Sequence, residues 1–150
     1  MKDLFVPYEI AIGLKKLGFN EPCVGIYHSR LDFTITSKMQ EKISFTFGMF
    51  QYPKRNSDAN TVSGTFIGEE GCYAPMYQQV FDWFREQHNL TWEQQFADSH
   101  LYLYIGEIAY PEPCLEHFKV FEVPNGKYNE TVNIAKNEVI KGLIELIKNK

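Results

Sequence analysis

The residue types in this chain that could carry out nucleophilic or acid–base chemistry are three cysteines and four histidines. They are Cys23, Cys72, Cys114, His28, His88, His100 and His117. A cysteine thiolate activated by a histidine is a nucleophile, so Cys72 or Cys114 beside a histidine would form a small catalytic site. These residues are far apart in the sequence, and an isolated histidine at a helix end or strand start also serves as a hydrogen-bonded structural group. The sequence leaves both interpretations open for His88, His100 and His117.

No motif of established chemistry accompanies these residues. The chain has no G-x-G-x-x-G, no G-x-x-x-x-G-K-[ST], no H-E-x-x-H, no G-x-S-x-G and no C-x-x-C. The absence of these motifs removes the usual sequence evidence for dinucleotide, phosphate, zinc and serine-hydrolase sites. We therefore expect a protein that is not an enzyme and has neither a metal site nor a cofactor. The odd number and wide spacing of the cysteines favour reduced thiols in a cytoplasm over a disulfide framework.

Charge is distributed unevenly along the 150 residues. The formal net charge is −4, which argues against general nucleic-acid binding because phosphate contacts need clustered lysine and arginine. Residues 56–125 contain eleven acidic side chains and two basic ones, Arg85 and Lys119. An acidic middle segment can steer a basic partner toward it, and it can equally be a solvated acidic face.

Hydrophobic spacing predicts the elements that must position these residues. Apolar residues at helical spacing predict helices over 7–17, 74–90 and 130–148, with Asn89 as a left-handed end of the second and Asn129 as the N-cap of the third. Alternating apolar and polar residues predict antiparallel strands. These strands are expected at 23–28, 31–36, 43–50, 61–67, 101–109 and 117–123. The predicted fold is α+β, an antiparallel sheet with three packed helices in a single domain over 1–150.

Two polar segments and one tryptophan are the candidate contact residues. Residues 51–60 form a polar loop with Tyr52, Lys54 and Arg55, and a glycine-flanked turn holds Glu69 and Glu70. Trp83 lies off the main apolar stripe of the second helix and is expected to be exposed or at an interface. Tyrosine, tryptophan and arginine are favoured interface anchors, which makes these six residues the predicted partner-binding set. The alternative is that the loop and turn are solvent-facing chain without a partner.

Three blocks of the sequence resemble one family. The opening segment 1–23 contains P-Y-E-I-A and L-G-F-N-E-P-C, and the second helix contains P-M-Y-Q-Q followed by W-F-R. Together with the closing helix, these blocks are similar to a large family of small uncharacterised proteins from phages, prophages and mobile elements of gut-type bacteria. The resemblance covers about half of the chain and by itself implies no activity. Segments 31–71 and 91–125 are longer here than in the family pattern.

This context leads to two expectations about function. The first is a non-enzymatic phage or mobile-element accessory protein that acts in the host cytoplasm. It would bind a host protein or ribonucleoprotein complex and inhibit a host defence complex, in the manner of an anti-CRISPR antagonist of an RNA-guided nuclease. The alternative is a small-ligand or nucleotide-binding sponge, or a small enzyme, built around the Cys/His set. Residues 1–8 lack a long apolar run, so we expect no membrane insertion.

Overall fold

The computed structural model describes residues 2–21, 23, 25–31, 33–35, 71–109 and 112–149. The chain divides into two units, residues 1–79 and residues 80–150. Both units contain helices and antiparallel strands, which confirms the predicted α+β class. The described strands form two sheets where one was expected, and the single domain over 1–150 stays a prediction. The predicted strands 43–50 and 61–67 and the loop 51–60 lie outside the described residues.

Apart from the start of the helix Tyr77–His88, the described residues of the first unit form one α-helix, preceded by a 3-10 turn at Lys2–Leu4, and a sheet of three short strands. The elements are α1 (Tyr8–Lys16), β1 (Gly25–Tyr27), β2 (Phe33–Ile35) and β3 (Cys72–Ala74), with strand order β2-β1-β3. Helix α1 begins after Pro7, whose φ of −58° suits entry into a helix, and ends before Gly18 at φ +90°. The helix predicted over 7–17 is thus confirmed. Helix α1 packs against β3. Strand β3 was not predicted from the sequence, because its three residues precede a helix and are too few to show alternation.

The second unit contains a three-stranded antiparallel sheet, and in sequence order one helix precedes its strands and another follows them. The elements are α2 (Tyr77–His88, which begins in the first unit), β4 (Leu90–Ala97), β5 (His100–Glu107), β6 (Cys114–Glu122) and α3 (Tyr128–Lys148), with strand order β4-β5-β6. Strand β4 was not predicted. Its centre is Glu93-Gln94-Gln95, residue types that are rarely enriched in strands, and it lies at the edge of the described sheet.

Two local conformations fix the start and turn of this sheet. Asn89 adopts the predicted left-handed conformation, with φ 56°, and its Nδ2 donates a hydrogen bond to the carbonyl of Ile108 at 2.7 Å. Asp98 and Ser99 have φ of 48° and 61°, the paired positive angles of a two-residue hairpin turn that joins β4 to β5. The strand register follows from this tight turn.

Helix α3 packs on one face of the sheet, here called the inner face, and buries an apolar stripe against β5 and β6. The buried residues of the stripe are Ala135, Val139, Ile140, Leu143 and Ile144, and they lie over Leu101, Leu103 and Ile105 of the same unit's core. The predicted N-cap is wrong, because the helix begins one residue before Asn129. Lys127 occupies the cap position, and its carbonyl accepts a hydrogen bond from Thr131 Oγ1 at 3.1 Å.

A β-bulge in β6 changes the predicted faces of that strand. Leu103 pairs with Lys119 and Tyr104 pairs with His117, so Phe118 is the extra residue between two paired positions. Simple alternation along the predicted strand 117–123 would put Phe118 on the same face as Val120 and Glu122, but Phe118 instead lies against α3. A Cβ at Gly142 would come within 2.7 Å of the Phe118 ring. The glycine at position 142 therefore leaves the room that the Phe118 ring occupies.

Candidate functional site

The described residues include one of the six predicted partner-binding residues. Tyr52, Lys54, Arg55, Glu69 and Glu70 lie outside the described residues, so the contact surface predicted from them stays a prediction. Trp83 is described, and its position can be compared with the expectation of exposure.

Trp83 is buried, with a relative exposure of 6%, so the expectation that it is exposed is wrong. Its ring lies 5.1 Å from the ring of Phe84 and 4.5 Å from the ring of His88. The reason is that the buried face of α2 is wider than one stripe, because it includes Trp83 beside Val80, Phe81 and Phe84. His88 packs against this aromatic cluster, which is the structural role that the sequence analysis left open for it.

The cysteines of the first unit are poor nucleophiles. Cys23 is buried, and its one S–H proton has two acceptors within reach of Sγ, the carbonyl oxygen of Glu21 at 3.2 Å and Gln79 Oε1 at 3.5 Å. Burial raises the pKa of the Cys23 thiol far above its ordinary value, and it raises the pKa of Cys72 to about 11. Both side chains therefore stay protonated at neutral pH, which favours a structural role over thiolate chemistry.

Two histidines lie together on the outer face of the second sheet, the face opposite α3. The ring of Tyr102 lies 6.3 Å from that of His100 and 6.4 Å from that of His117, and Tyr104 lies 5.7 Å from His117. Nδ1 of His100 is 2.7 Å from the carbonyl of Asp98, which makes this nitrogen the donor. Val120 pairs with Tyr102 across the strands and is 39% exposed. We call these five residues the tyrosine–histidine face: His100, Tyr102, Tyr104, His117 and Val120.

The charges beside the tyrosine–histidine face are all acidic among the described strand residues. Glu93 pairs with Tyr104, and Glu122 pairs with His100. The one basic residue of β4, β5 and β6 is Lys119, which points to the inner face and binds Glu138 of α3 at 2.6 Å. The outer face thus combines ring surface with negative charge, and it suits a partner surface that carries lysine or arginine.

The sequence named both histidines of this face but not its tyrosines. Tyr102 and Tyr104 alternate with Leu101, Leu103 and Ile105, so the sequence placed them on the face opposite the core. The strand pairing that adds His117 and Val120 beside them was not visible, because it depends on the register of β6. The alternation of Tyr102 and Tyr104 with core residues was the feature of the sequence from which this face could have been predicted.

A second feature is a groove of about 610 Å³ between the inner face of the sheet and the second half of α3. Its apolar part is formed by Leu90, Ile105, Phe118 and Leu146, and its polar part includes Glu116 and Glu145. Cys114 and His117 also line it. Glu138 at its rim is held by Lys119 and by Lys141 at 2.7 Å, and these two ammonium groups keep the pKa of the Glu138 carboxyl below its usual range.

Neither a metal-binding cluster nor a membrane-spanning helix occurs among the described residues. No group of three or more histidine, cysteine or acidic side chains is arranged to hold a metal ion there. Among the same residues, no helix combines the length and apolar character needed to cross a bilayer.

Comparison with known proteins gives no functional assignment. No protein-family model, curated protein or solved structure matches the chain.

Proposed function

We propose that this protein is a non-enzymatic binding protein that engages a basic surface of one macromolecule through its tyrosine–histidine face. The single observation that carries the proposal is this face: two tyrosine and two histidine rings, half-buried or exposed, on the side of the sheet opposite α3, next to Glu93 and Glu122 and with no basic residue of β4, β5 or β6 on the same side. Tyrosine combines large contact area with a polar hydroxyl, and arginine stacks on aromatic rings.

The biological setting of the proposal comes from the family resemblance. A phage or mobile-element accessory protein that acts in the host cytoplasm would bind a host protein or ribonucleoprotein. An acidic face can compete for the basic channel of an RNA-guided nuclease, because that channel is built to hold a phosphate backbone. Inhibition of such a defence complex is the form of the proposal that connects the surface to a biological outcome.

Affinity capture from host lysate tests the proposal. The tagged wild-type protein should enrich one protein or ribonucleoprotein, and expression of the protein should weaken host defence. The double variant Tyr102→Ala/Tyr104→Ala should lose the enriched species. Tyr128→Ala removes a more exposed tyrosine, 42%, that lies outside the face, so it should keep the species. Equal enrichment by the double variant, or no enrichment by the wild type, contradicts the proposal.

The alternative of a ligand sponge or small enzyme has one supporting observation. The groove has the size of small-molecule pockets, about 300–1,000 Å³, and contains both Cys114 and His117. Its carboxylates, however, would repel the phosphates of a nucleotide. Thermal-shift assays with nucleotides and divalent metals separate the two proposals, because a bound ligand raises the unfolding temperature. A large shift with one nucleotide would favour the sponge.

A further inference from the structure

The groove runs across the inner face of the sheet, from Leu90 of β4 past Ile105 of β5 to the edge strand β6, and α3 forms its other wall. Strand β6 is at the edge of the order β4-β5-β6, so the backbone groups on its far side have no strand partner within the described sheet. Cys114, Glu116 and His117 of β6 are exposed and also line the groove. Edge strands with accessible backbone groups are templates for an added strand, and several peptide-binding domains use this mode.

We propose that the groove binds an extended peptide segment that adds to β6 as a fourth strand and places a large apolar side chain, flanked by lysine or arginine, between β6 and α3. The groove is on the α3 side of the sheet, and His117 is the one residue of the tyrosine–histidine face that also lines it. The proposal does not depend on the function proposed above.

The apolar part of the peptide is defined by the groove's inner wall. The Phe118 ring rests close to Gly142 because a glycine at this helix position leaves room for it, and Ile105 is the other close neighbour. Leu146 is half-buried on the helix side. Together these groups offer apolar surface that no side chain of the described residues fills, and burial of a leucine-sized side chain there is favourable.

The flanking basic residues follow from the charges at the groove. Glu116 makes no ion pair in the described part of the chain, and Glu145 binds the exposed Lys148, which can move into solvent. Glu116 comes from the strand and Glu145 from the helix, so the two carboxylates lie on opposite walls. Basic side chains before and after the apolar residue would reach them, whereas an acidic peptide would be repelled.

The strand geometry sets the spacing of the peptide. Alternate residues of a strand point to the same face, and equivalent residues are about 7 Å apart. A peptide with lysine, leucine and lysine at alternate positions would direct all three side chains toward the groove. We therefore choose as the probe a blocked seven-residue peptide in which threonines separate lysine, leucine and lysine.

Calorimetric titration and amide chemical shifts in nuclear magnetic resonance test the proposal with the purified protein. The probe should bind and shift amides of β6 and of the second half of α3. Reversing both charges, Glu116→Lys/Glu145→Lys, should weaken binding about tenfold. The control Glu112→Lys/Glu130→Lys makes the same change in net charge at exposed positions outside the groove, and it should bind the probe within about twofold of wild type.

Three results would overturn the proposal. They are the absence of binding at millimolar probe, equal weakening by the control variant, and undiminished binding of a probe whose backbone nitrogens facing β6 are methylated. Substitution of the probe's leucine by alanine should also weaken binding. Unchanged affinity would show that the groove does not bind the apolar side chain. The Tyr102→Ala/Tyr104→Ala variant should bind the probe normally. Loss of host-partner capture with intact probe binding would contradict the proposed function alone, and the reverse result would contradict this inference alone.

Discussion

At the scale of single residues, burial separates the three cysteines into two classes. Cys23 and Cys72 are 1% and 3% exposed and have raised thiol pKa values, whereas Cys114 is exposed on β6. Spacing in the sequence could not make this distinction, because it depends on which strand residues another element covers. The same limit applies to Trp83, whose burial comes from contacts with Phe84 and His88.

We predict that one of the three cysteines reacts with a thiol reagent in the native protein at neutral pH. Cys114 should be labelled rapidly, because its thiol is accessible, while Cys23 and Cys72 react only as the protein unfolds. Mass spectrometry of the labelled peptides gives the measurement. Cys114→Ser should abolish the fast reaction, and denaturant should restore two reactive thiols. Fast labelling of Cys72 in the native protein would show that the burial assigned to it is wrong.

Glu138 links pH to stability. Lys119 and Lys141 lower its pKa in the folded protein relative to the ordinary value of 4.5. A lowered folded-state pKa gives stability that is fully present above the unfolded-state pKa and is lost as pH falls through the folded-state value. We predict that Glu138→Gln lowers the free energy of unfolding by up to about 1 kcal/mol at pH 7.

The control is how the difference in free energy of unfolding between wild type and Glu138→Gln depends on pH. Chemical denaturation should show the stabilities of wild type and Glu138→Gln converging as pH falls below about 4.5, the ordinary glutamate pKa. Glu130→Gln removes a more exposed carboxylate of the same helix, whose contact with Lys127 is longer at 3.5 Å, and should have a smaller effect. A constant difference between wild type and Glu138→Gln at all pH values would show that the two lysines do not set the Glu138 pKa.

At the scale of elements, the sequence predicted helices better than strands for a physical reason. Helix α1 has Pro7 before it and Gly18 after it, and Asn89 follows α2, so the ends of both helices are marked locally. Strand pairing depends on residues distant in sequence. Strand β4 was missed because its Glu93-Gln94-Gln95 centre has weak strand preference, and the bulge at Phe118 is visible only when β5 and β6 are paired.

Substitution of Gly106 in β5 tests the pairing of β5 with β6 most directly. A Cβ there would lie 1.9 Å from the backbone carbonyl oxygen of Cys114, and a backbone oxygen cannot move without moving β6. We predict that Gly106→Ala lowers the free energy of unfolding by about 2–3 kcal/mol, measured by chemical denaturation.

Gly126 provides a matched glycine control. Its φ is +77°, and a Cβ there meets nothing within 4 Å, so Gly126→Ala carries backbone strain without a clash. The expected cost is about 1 kcal/mol. If Gly126→Ala were the more damaging substitution, the close approach of β5 and β6 at Gly106 would be incorrect.

At the scale of the whole molecule, the second unit presents two different surfaces on the two sides of one sheet. The outer side has rings with only acidic strand charges beside them, and the inner side has a groove between β6 and α3. The sequence predicted an acidic middle segment but could not assign it to a side. That assignment requires the register, which places Glu93 and Glu122 outside and Lys119 inside.

The outer acidic charges should control the rate of association with a basic partner. We predict that Glu93→Gln/Glu122→Gln slows association severalfold at low ionic strength, with little change in dissociation rate, because exposed charges act mainly by steering. The difference should disappear at high salt, where the charges are screened. Surface plasmon resonance with the captured partner gives both rates. An association rate independent of these two carboxylates would exclude electrostatic steering through this face.

The most direct test of the central claim is the dissociation constant of the captured partner for wild type and for Tyr102→Ala/Tyr104→Ala. If the tyrosine–histidine face is the contact surface, loss of two ring anchors should weaken binding by about thirtyfold or more, while Tyr128→Ala binds like wild type. Circular dichroism should show the same fold for all three proteins. Equal dissociation constants for the wild type and the double variant would contradict the account.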